Sequence, residues 1–384
     1  MSDGGMMDTV FDTLDHLIGF NTVSSKSNLD LISYLEAFCT NLGAETQRIY
    51  GKTQEKCGLI AHFGPHVEGG IILSGHTDVV PTEGQNWTRP DFRLTREDDR
   101  FYGRGTTDMK GFLACMLSAA QKSTQHKLQR PLILVFSYDE EIGCIGIQEM
   151  RETLPQELGS ARLCIVGEPT EMHVAIGHKG KSAYRALCTG EAGHSALAPL
   201  FQNALYVAAD FTKSLQELQE TYKSSGQRDA AYDIPYTTFH IGKLNGGMAL
   251  NIVPDRAQIL FESRYLAQDG SAKVHNDIQA IITRVNDIYT GNAIRCETVF
   301  AYPGLDMDDR SEATQFAQKL MGNHALSKVA FGTEAGIFAE LGIPTLVCGP
   351  GSMAGQGHKP DEYITLEQLM TCEAALFRCV ESLT

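Results

Sequence analysis

The sequence has a single tryptophan and no run approaching the roughly 18 uninterrupted apolar residues that a membrane-spanning helix needs. It shows no internal repeat and no low-complexity tract, and its 37 glycines in 384 residues are too few for a collagen-like chain. Positive charge is the scarcer sign: 32 lysines and arginines face 47 aspartates and glutamates, a formal net charge of −15. A chain this acidic is repelled by phosphate backbones and anionic lipid, which argues against nucleic-acid and membrane-surface roles. The ten cysteines stand singly, without a CxxC pair, in a chain too long to depend on disulfides. They read as reduced core thiols of a cytoplasmic protein, with Cys115 and Cys372 in apolar helical runs. The opening MSDGGMMDTVFDTLDHL has neither a basic n-region nor an apolar h-region, so no secretory signal is expected.

What is present is ordinary globular composition, 42% hydrophobic and 21% charged, over a length that suggests two domains. Residues 6–20 and 28–42 carry apolar residues at helical spacing, with Gly43 as a stop for the second helix. GLIAHFG, GGIILSGHTDVV, LILVFSYDEE and RLCIVGEP are short apolar runs of the kind that form strands buried on both faces. Residues 108–122 read as a helix opened by an acidic residue, SKVAFGTEAGIFAELGIPTLVCGPG as strand–helix–strand, and 366–383 as a closing amphipathic helix. This alternation predicts an α/β fold with a mixed, largely parallel sheet.

The middle of the chain differs. SAYRALCTGEAG alternates like a half-exposed strand, and 203–220 is helical. TTFHIGKLNGG and AQILFESRYLA follow as strands joined through a turn with Pro254 and Asp255; a helix over 272–289 and the strand AIRCETVFAY complete the pattern. The order βαββαβ suits a small antiparallel, ferredoxin-like sheet. The expected organisation is therefore a catalytic domain in two parts, 1–178 and 301–384, with an inserted lid or dimerisation domain at 179–300.

Chemistry-bearing residues cluster where the apolar strands end. SGHTDVVP puts His76 and Asp78 two apart, on one face, where a carboxylate can take the second N–H of a metal-binding imidazole. Asp108 stands at a helix entrance behind a glycine-rich loop, Asp139, Glu140 and Glu141 follow one strand, Glu168 ends another, and His358 follows the GPG loop. Each has a commonplace alternative: a satisfied turn histidine, a helix N-cap, a solvated acidic run. Together, two histidines and at least three carboxylates lie at the carboxyl ends of parallel strands, where open α/β sheets hold their ligands. Such a donor set suits zinc, cobalt or manganese and supports a metal-dependent hydrolase.

SGHTDVVP, GRGTTDMKG, DEEIG, GEPT and GHKPDEY, in this order, resemble the M20 family of dinuclear zinc peptidases and deacylases over nearly the whole chain, including the lid motif GEAGHSALAP. Within it, WTRPDF, DMKGF, HKG, TEAGIF and LGIPTLVCGPGS look most like the acetylornithine deacetylases. The resemblance implies two divalent ions, zinc or cobalt. His76 and Glu168 would hold one, Glu141 and His358 the other, and Asp108 would bridge them. Asp78 would orient His76, Glu140 would be the general base, and His194 of the lid would donate a hydrogen bond to the oxyanion. Glu168, where many family peptidases carry Asp, favours deacylation over peptide cleavage. One departure is the loop GSMAGQGH, longer than usual before His358.

Asn251 and Arg264, on the lid segments LNIVPD and FESRY that are expected to pair as strands, are candidates for a substrate carboxylate, with an ion pair to Glu262 or Asp255 as the alternative for Arg264. Glu334 would balance a cationic substrate end or cap a helix, and Lys179 is expected to be exposed at the domain hinge. The implied reaction is hydrolysis of a small N-acyl amino acid, N2-acetyl-L-ornithine first, by a homodimer joined through the inserted domain. Desuccinylation of succinyl-diaminopimelate and deacetylation of acetylcitrulline are the alternatives.

Overall fold

The structure is a computed structural model that describes residues 9–384. The opening MSDGGMMD, and with it positions 6–8 of the expected first helix, lies outside the described residues. That helix, α1 (Val10–Gly19), starts at Thr9. The Thr9 hydroxyl accepts the Asp12 N–H, and the Asp12 carboxylate accepts the Thr9 N–H, a reciprocal cap that satisfies two otherwise orphaned donors.

The described residues form two compact units. One holds the chain up to Gly177 together with Met307–Val329 and Thr333–Thr384; the other holds His178–Asp306 and Ala330–Gly332.

In the first unit, α2 (Leu29–Asn41) leads into β1 (Glu45–Tyr50), β2 (Cys57–Phe63) and β3 (Ile71–His76). Then come α3 (Lys110–Ser123), β4 (Leu132–Ser137), β5 (Leu163–Pro169) and β6 (Val174–His178). In the second unit the order is β7 (Gly180–Thr189), α4 (Ala204–Ser225), β8 (Thr238–Gly246), β9 (Arg256–Tyr265), α5 (Ser271–Ile288) and β10 (Ile294–Tyr302). The chain closes with α6 (Ala335–Glu340), β11 (Thr345–Gly349) and α7 (Leu366–Glu381).

The large sheet runs β1, β2, β4, β3, β5, β11, β6. Its middle four strands are parallel, in register from Ile71 opposite Leu132 and Leu163 to Thr345 opposite Cys164, while β1, β2 and β6 pair antiparallel. Every residue of β3, β4, β5 and β11 is buried, which explains why these strands read as continuous apolar runs. Leu73, Leu134 and Ile165 are among those buried there, each contributing roughly 1.5–3 kcal/mol of hydrophobic burial. The four parallel strands all point their carboxyl ends the same way.

Gly167 shows how tightly that end is packed. A Cβ there would come within 1.9 Å of the Phe112 ring of α3, so only glycine lets α3 approach the strand one residue before Glu168.

The second unit has an antiparallel sheet ordered β8, β9, β7, β10. Its buried side chains, among them Tyr184, Phe211, Phe261 and Ile278, come from the strands and from both helices. Burial alternates along β7 as the sequence pattern of SAYRALCT predicts.

Two local expectations need correction. Lys179 is not exposed: its ammonium is buried and donates to the carbonyls of Ile234 (2.8 Å) and Tyr236 (2.6 Å). The long aliphatic stem makes such burial tolerable once the charged head has acceptors. The segment LNIVPD does not pair with FESRY. Ile252–Val253 pair instead with Gly193–His194, because β9 already has β7 and β8 as neighbours on its two edges.

Candidate metal centre

His76 is the last residue of β3, Glu168 lies at the end of β5, and Glu140 and Glu141 follow β4 after two residues, Tyr138 and Asp139. Asp108 arrives from the loop before α3. Its side chain does not cap that helix: the cap position is Met109, and no side-chain cap bond is made. The carboxylate instead faces two imidazoles. Oδ1 lies 3.1 Å from His76 Nε2, and Oδ2 lies 3.0 Å from His358 Nε2. Glu168 Oε1 is 3.6 Å from His76 Nε2, and Glu141 Oε2 is 3.1 Å from His358 Nε2.

Among the described residues, two groups have metal-ligating atoms within 4.8 Å of one another: His76, Asp108 and Glu168, and Asp108, Glu141 and His358. The donors fit cations. His76 Nδ1 lies 2.9 Å from the Asp78 carbonyl, to which it donates as a neutral ring. Its Nε2 lone pair then points at the carboxylates of Asp108 and Glu168, acceptors it cannot bond. A positive ion between them, or an extra proton, resolves that confrontation.

Charge bears this out. Burial forces the carboxyls of Glu140 and Glu168 well above the usual range, with the crowding of like charges adding to it. Burial raises Glu141 to about 7, with Asp108 adding to the rise. Burial would lower His76, but its contacts with Asp108 and Asp78 carry it well upward. Hydrogen bonds to Asp108 and Glu141 push His358 up to about 10. Asp108 is held below its ordinary value: burial alone would raise it, and the two imidazoles outweigh burial. Carboxylates that resist ionising beside imidazoles that attract protons are groups arranged to share positive charge.

Asp78 is more than a partner of His76. Its carboxylate accepts the backbone N–H groups of Glu140 (3.0 Å) and Glu141 (3.3 Å) and the Ser24 hydroxyl (2.7 Å), while Oδ1 lies 3.5 Å from His76 Nδ1. It therefore ties the end of β3 to the acidic turn after β4.

Two residues were missed in the motif reading although both lie inside quoted motifs. Glu362, of GHKPDEY, is buried and accepts the N–H groups of Gly105 (3.1 Å), Thr107 (2.9 Å) and Asp108 (3.0 Å). Arg104, of GRGTTDMKG, pairs with it at 2.5 Å, and both side chains are within 1% of full burial. The available signal was an acid and a base in two separate motifs; nothing in their spacing says that they meet.

The other candidates lie elsewhere. Glu334 is 1% exposed at the start of α6 and makes no side-chain cap bond there. Its carboxylate makes no hydrogen bond of ordinary geometry, although the Ser137 hydroxyl is near enough to ease its charge. Burial raises it to about 7. In the second unit, Arg264 Nε pairs with Glu262 at 2.9 Å, and Glu262 also takes Lys181. His194 and Asn251 come together, the Ser195 N–H donating to the Asn251 carbonyl at 3.1 Å. His194 Nδ1 accepts the Ala196 N–H at 3.0 Å, so a neutral ring carries its proton on Nε2.

Parallel strands with acids and imidazoles at their carboxyl ends define a hydrolase of the α/β class with two candidate metal groups. Residues 72–382 match peptidase family M20/M25/M40, and the chain belongs to that family. It is a hydrolase acting on amide bonds. It is 33% identical over 373 residues, 96% of each chain, to an acetylornithine deacetylase of Myxococcus xanthus. It is 32% identical over 341 residues, 88% of this chain and 87% of the relative, to an acetylornithine deacetylase of Salmonella paratyphi B. Its fold is similar to that of an M20 family metallo-carboxypeptidase from Sulfolobus solfataricus, with a TM-score of 0.79 at 19% identity, covering 98% of this chain and 99% of the other.

Proposed function

We propose that the protein removes the acetyl group from N2-acetyl-L-ornithine, releasing L-ornithine and acetate. The observation that carries the metal-dependent chemistry is the Asp108 carboxylate, whose two oxygens face two different imidazoles at 3.1 and 3.0 Å. The choice of acyl substrate rests on the likeness to relatives named acetylornithine deacetylase.

His76 and Glu168 would hold one ion, Glu141 and His358 the other, with Asp108 between them. Imidazole and carboxylate ligands suit zinc, with cobalt as a functional substitute. When bound, two such ions polarise the scissile carbonyl and lower the pKa of water toward neutrality. Glu140 is in neither ligand group, and its raised pKa matches a group that takes a proton from the attacking water and returns it to the leaving amine. Asp78 keeps the His76 ring in one tautomer. His194 supplies a hydrogen-bond donor from Nε2 to the developing oxyanion. Asn251 and Arg264 would take the substrate carboxylate, Arg264 by exchanging its Glu262 partner, and Glu334 would counter the cationic side chain of ornithine.

The same reading places the protein in the cytoplasm as a homodimer joined through the second unit. No described helix is long and apolar enough to cross a membrane. β8 is an edge strand, and Met248 and Leu250 just beyond it are almost wholly exposed, an apolar patch that association would cover.

The test is a substrate panel on protein of known metal content: N2-acetyl-L-ornithine, acetylcitrulline and succinyl-diaminopimelate, compared by kcat/KM. Highest turnover on acetylornithine is expected. Preference for the succinyl substrate reassigns the enzyme as a desuccinylase, and no hydrolysis of any of the three by the two-metal protein removes the deacylase reading.

A further inference from the structure

His358 differs from the other members of the centre in what carries it. It sits in a loop, 352–361, its side chain is about half exposed, and its backbone is left-handed (φ +59°), a conformation that non-glycine residues adopt only when something holds them. What holds it is on the page. The Gln85 side-chain amide donates to the His358 carbonyl at 3.1 Å. The Gln85 oxygen accepts from Arg104 Nη2 at 2.5 Å and from the Trp87 indole N–H at 3.0 Å. Arg104 lies over the Trp87 ring at 5.0 Å and pairs through Nη1 with Glu362, which holds the Asp108 N–H. A neighbouring contact stiffens the same loop: the Asp361 carboxylate accepts the N–H groups of Thr88 (2.9 Å) and Arg89 (3.2 Å).

One connected circuit thus runs from the backbone of Asp108 through Glu362, Arg104 and Gln85 to the backbone of His358. Its ends are two of the three residues of the more exposed metal group. We propose that Gln85 is a positioning residue: through this circuit it sets the placement of His358 relative to Asp108, and so the affinity of the Asp108–Glu141–His358 group for its ion. The proposal rests on the two-ion reading given above. Gln85 contributes in two ways, as an acceptor that aligns Arg104 and as the donor that reaches the His358 loop. Second contacts of this kind orient a ligand without touching the metal, and their loss typically costs 10–100-fold in metal affinity.

The circuit also contains its own reporter. Trp87 is the single tryptophan of the chain, and its indole N–H shares the Gln85 oxygen with Arg104. A shift of the His358 backbone would be felt at Gln85 and so in the surroundings of that indole. Intrinsic fluorescence is therefore expected to follow the exposed group, whose His358 the circuit reaches, more closely than the buried one.

The experiment is a zinc titration of the metal-free full-length protein, following bound zinc by calorimetry and tryptophan emission in parallel. In the native protein two ions should bind, with the emission change tracking the weaker step. Gln85→Ala should weaken that step 10–100-fold, leave the tighter step within twofold, and uncouple the emission from it. Gln85→Glu, which keeps an acceptor for Arg104 and Trp87 but cannot donate to the His358 carbonyl, should weaken the same step. Because Gln85 is only half-buried in a loop, the metal-free variants should melt with the native protein, which separates positioning from general loosening. Unchanged affinity at both steps in both variants, or equal weakening of both steps, overturns the role of Gln85. A native protein that binds fewer than two ions overturns the two-ion reading itself, a result distinguishable before any variant is made.

Discussion

His76 and His358 meet the same aspartate from two sides and are held in opposite ways. His76 ends a strand that is buried along its whole length, its ring pinned by the Asp78 carbonyl, and its side chain is 1% exposed. His358 sits in a loop, 47% exposed, and depends on Gln85 and the Arg104–Glu362 pair for its position. A strand end is placed by the ladder of the sheet, whereas a loop ligand must be placed by side chains that themselves need placing. One half of the candidate centre is therefore enclosed and the other open to solvent.

The most severe test of this contrast removes what the halves share. Asp108→Ala should abolish turnover and bring bound metal well below two per chain by mass spectrometry, since the two proposed ions would lose the charge between them. A variant that keeps both ions and full activity would dissolve the idea of a common aspartate.

The next contrast lies between adjacent glutamates. Glu140→Ala should keep its ions and lose about 10²–10⁴-fold in kcat, the usual cost of losing a general base. Glu141→Ala should instead release the ion of the open group while the enclosed group stays filled. The opposite pattern in metal analysis would exchange their roles.

A third test concerns the second unit, which holds none of the proposed metal ligands. His194→Ala should retain both ions with little change in KM and lose about 10²–10³-fold in kcat, as expected for one oxyanion donor. Unchanged turnover would take His194 out of the reaction.

The smallest effect separates metal loss in acid from unfolding. His178 is fully buried, and burial lowers it to about 4 from its ordinary 6.5, only partly offset by its hydrogen bond to the Lys179 carbonyl. Between those values the unfolded chain takes up a proton that the folded chain refuses. Stability therefore falls as pH drops from about 6.5 to 4, by an upper limit of about 3 kcal/mol from this residue. His178→Asn should flatten that acid limb in denaturant titrations run at several pH values. An unaltered slope would assign the acid sensitivity to other groups.

Much of this was legible in the amino-acid order. Short apolar runs mark β3, β4, β5 and β11 because a strand covered on both faces is apolar at nearly every position, a purely local demand. Four of the five proposed ligands stand next to regular elements, His76 and Glu168 at strand ends, Glu141 in the turn after β4 and Asp108 just before α3, whereas His358 sits in a loop and is picked out only by the GHKPDEY motif. Periodicity also conveys the βαββαβ order of the second unit. It misplaces LNIVPD, because whether a short β-like segment joins one sheet or another depends on which edges are already taken.

What only the tertiary structure decided are the meetings of residues with no spacing rule between them. Gln85, Arg104 and Glu362 come from three separate segments, and no motif records that the first two touch or that the last holds the Asp108 backbone. Lys179 illustrates the same limit: a lysine after a strand is exposed by default, and its burial follows from two carbonyls more than fifty residues away. Chain order determines a residue's own conformation and face because those depend on its immediate neighbours. Partners distant in sequence are chosen by the packing of whole elements, and in this protein that choice sets which side chains stand behind the metal centre.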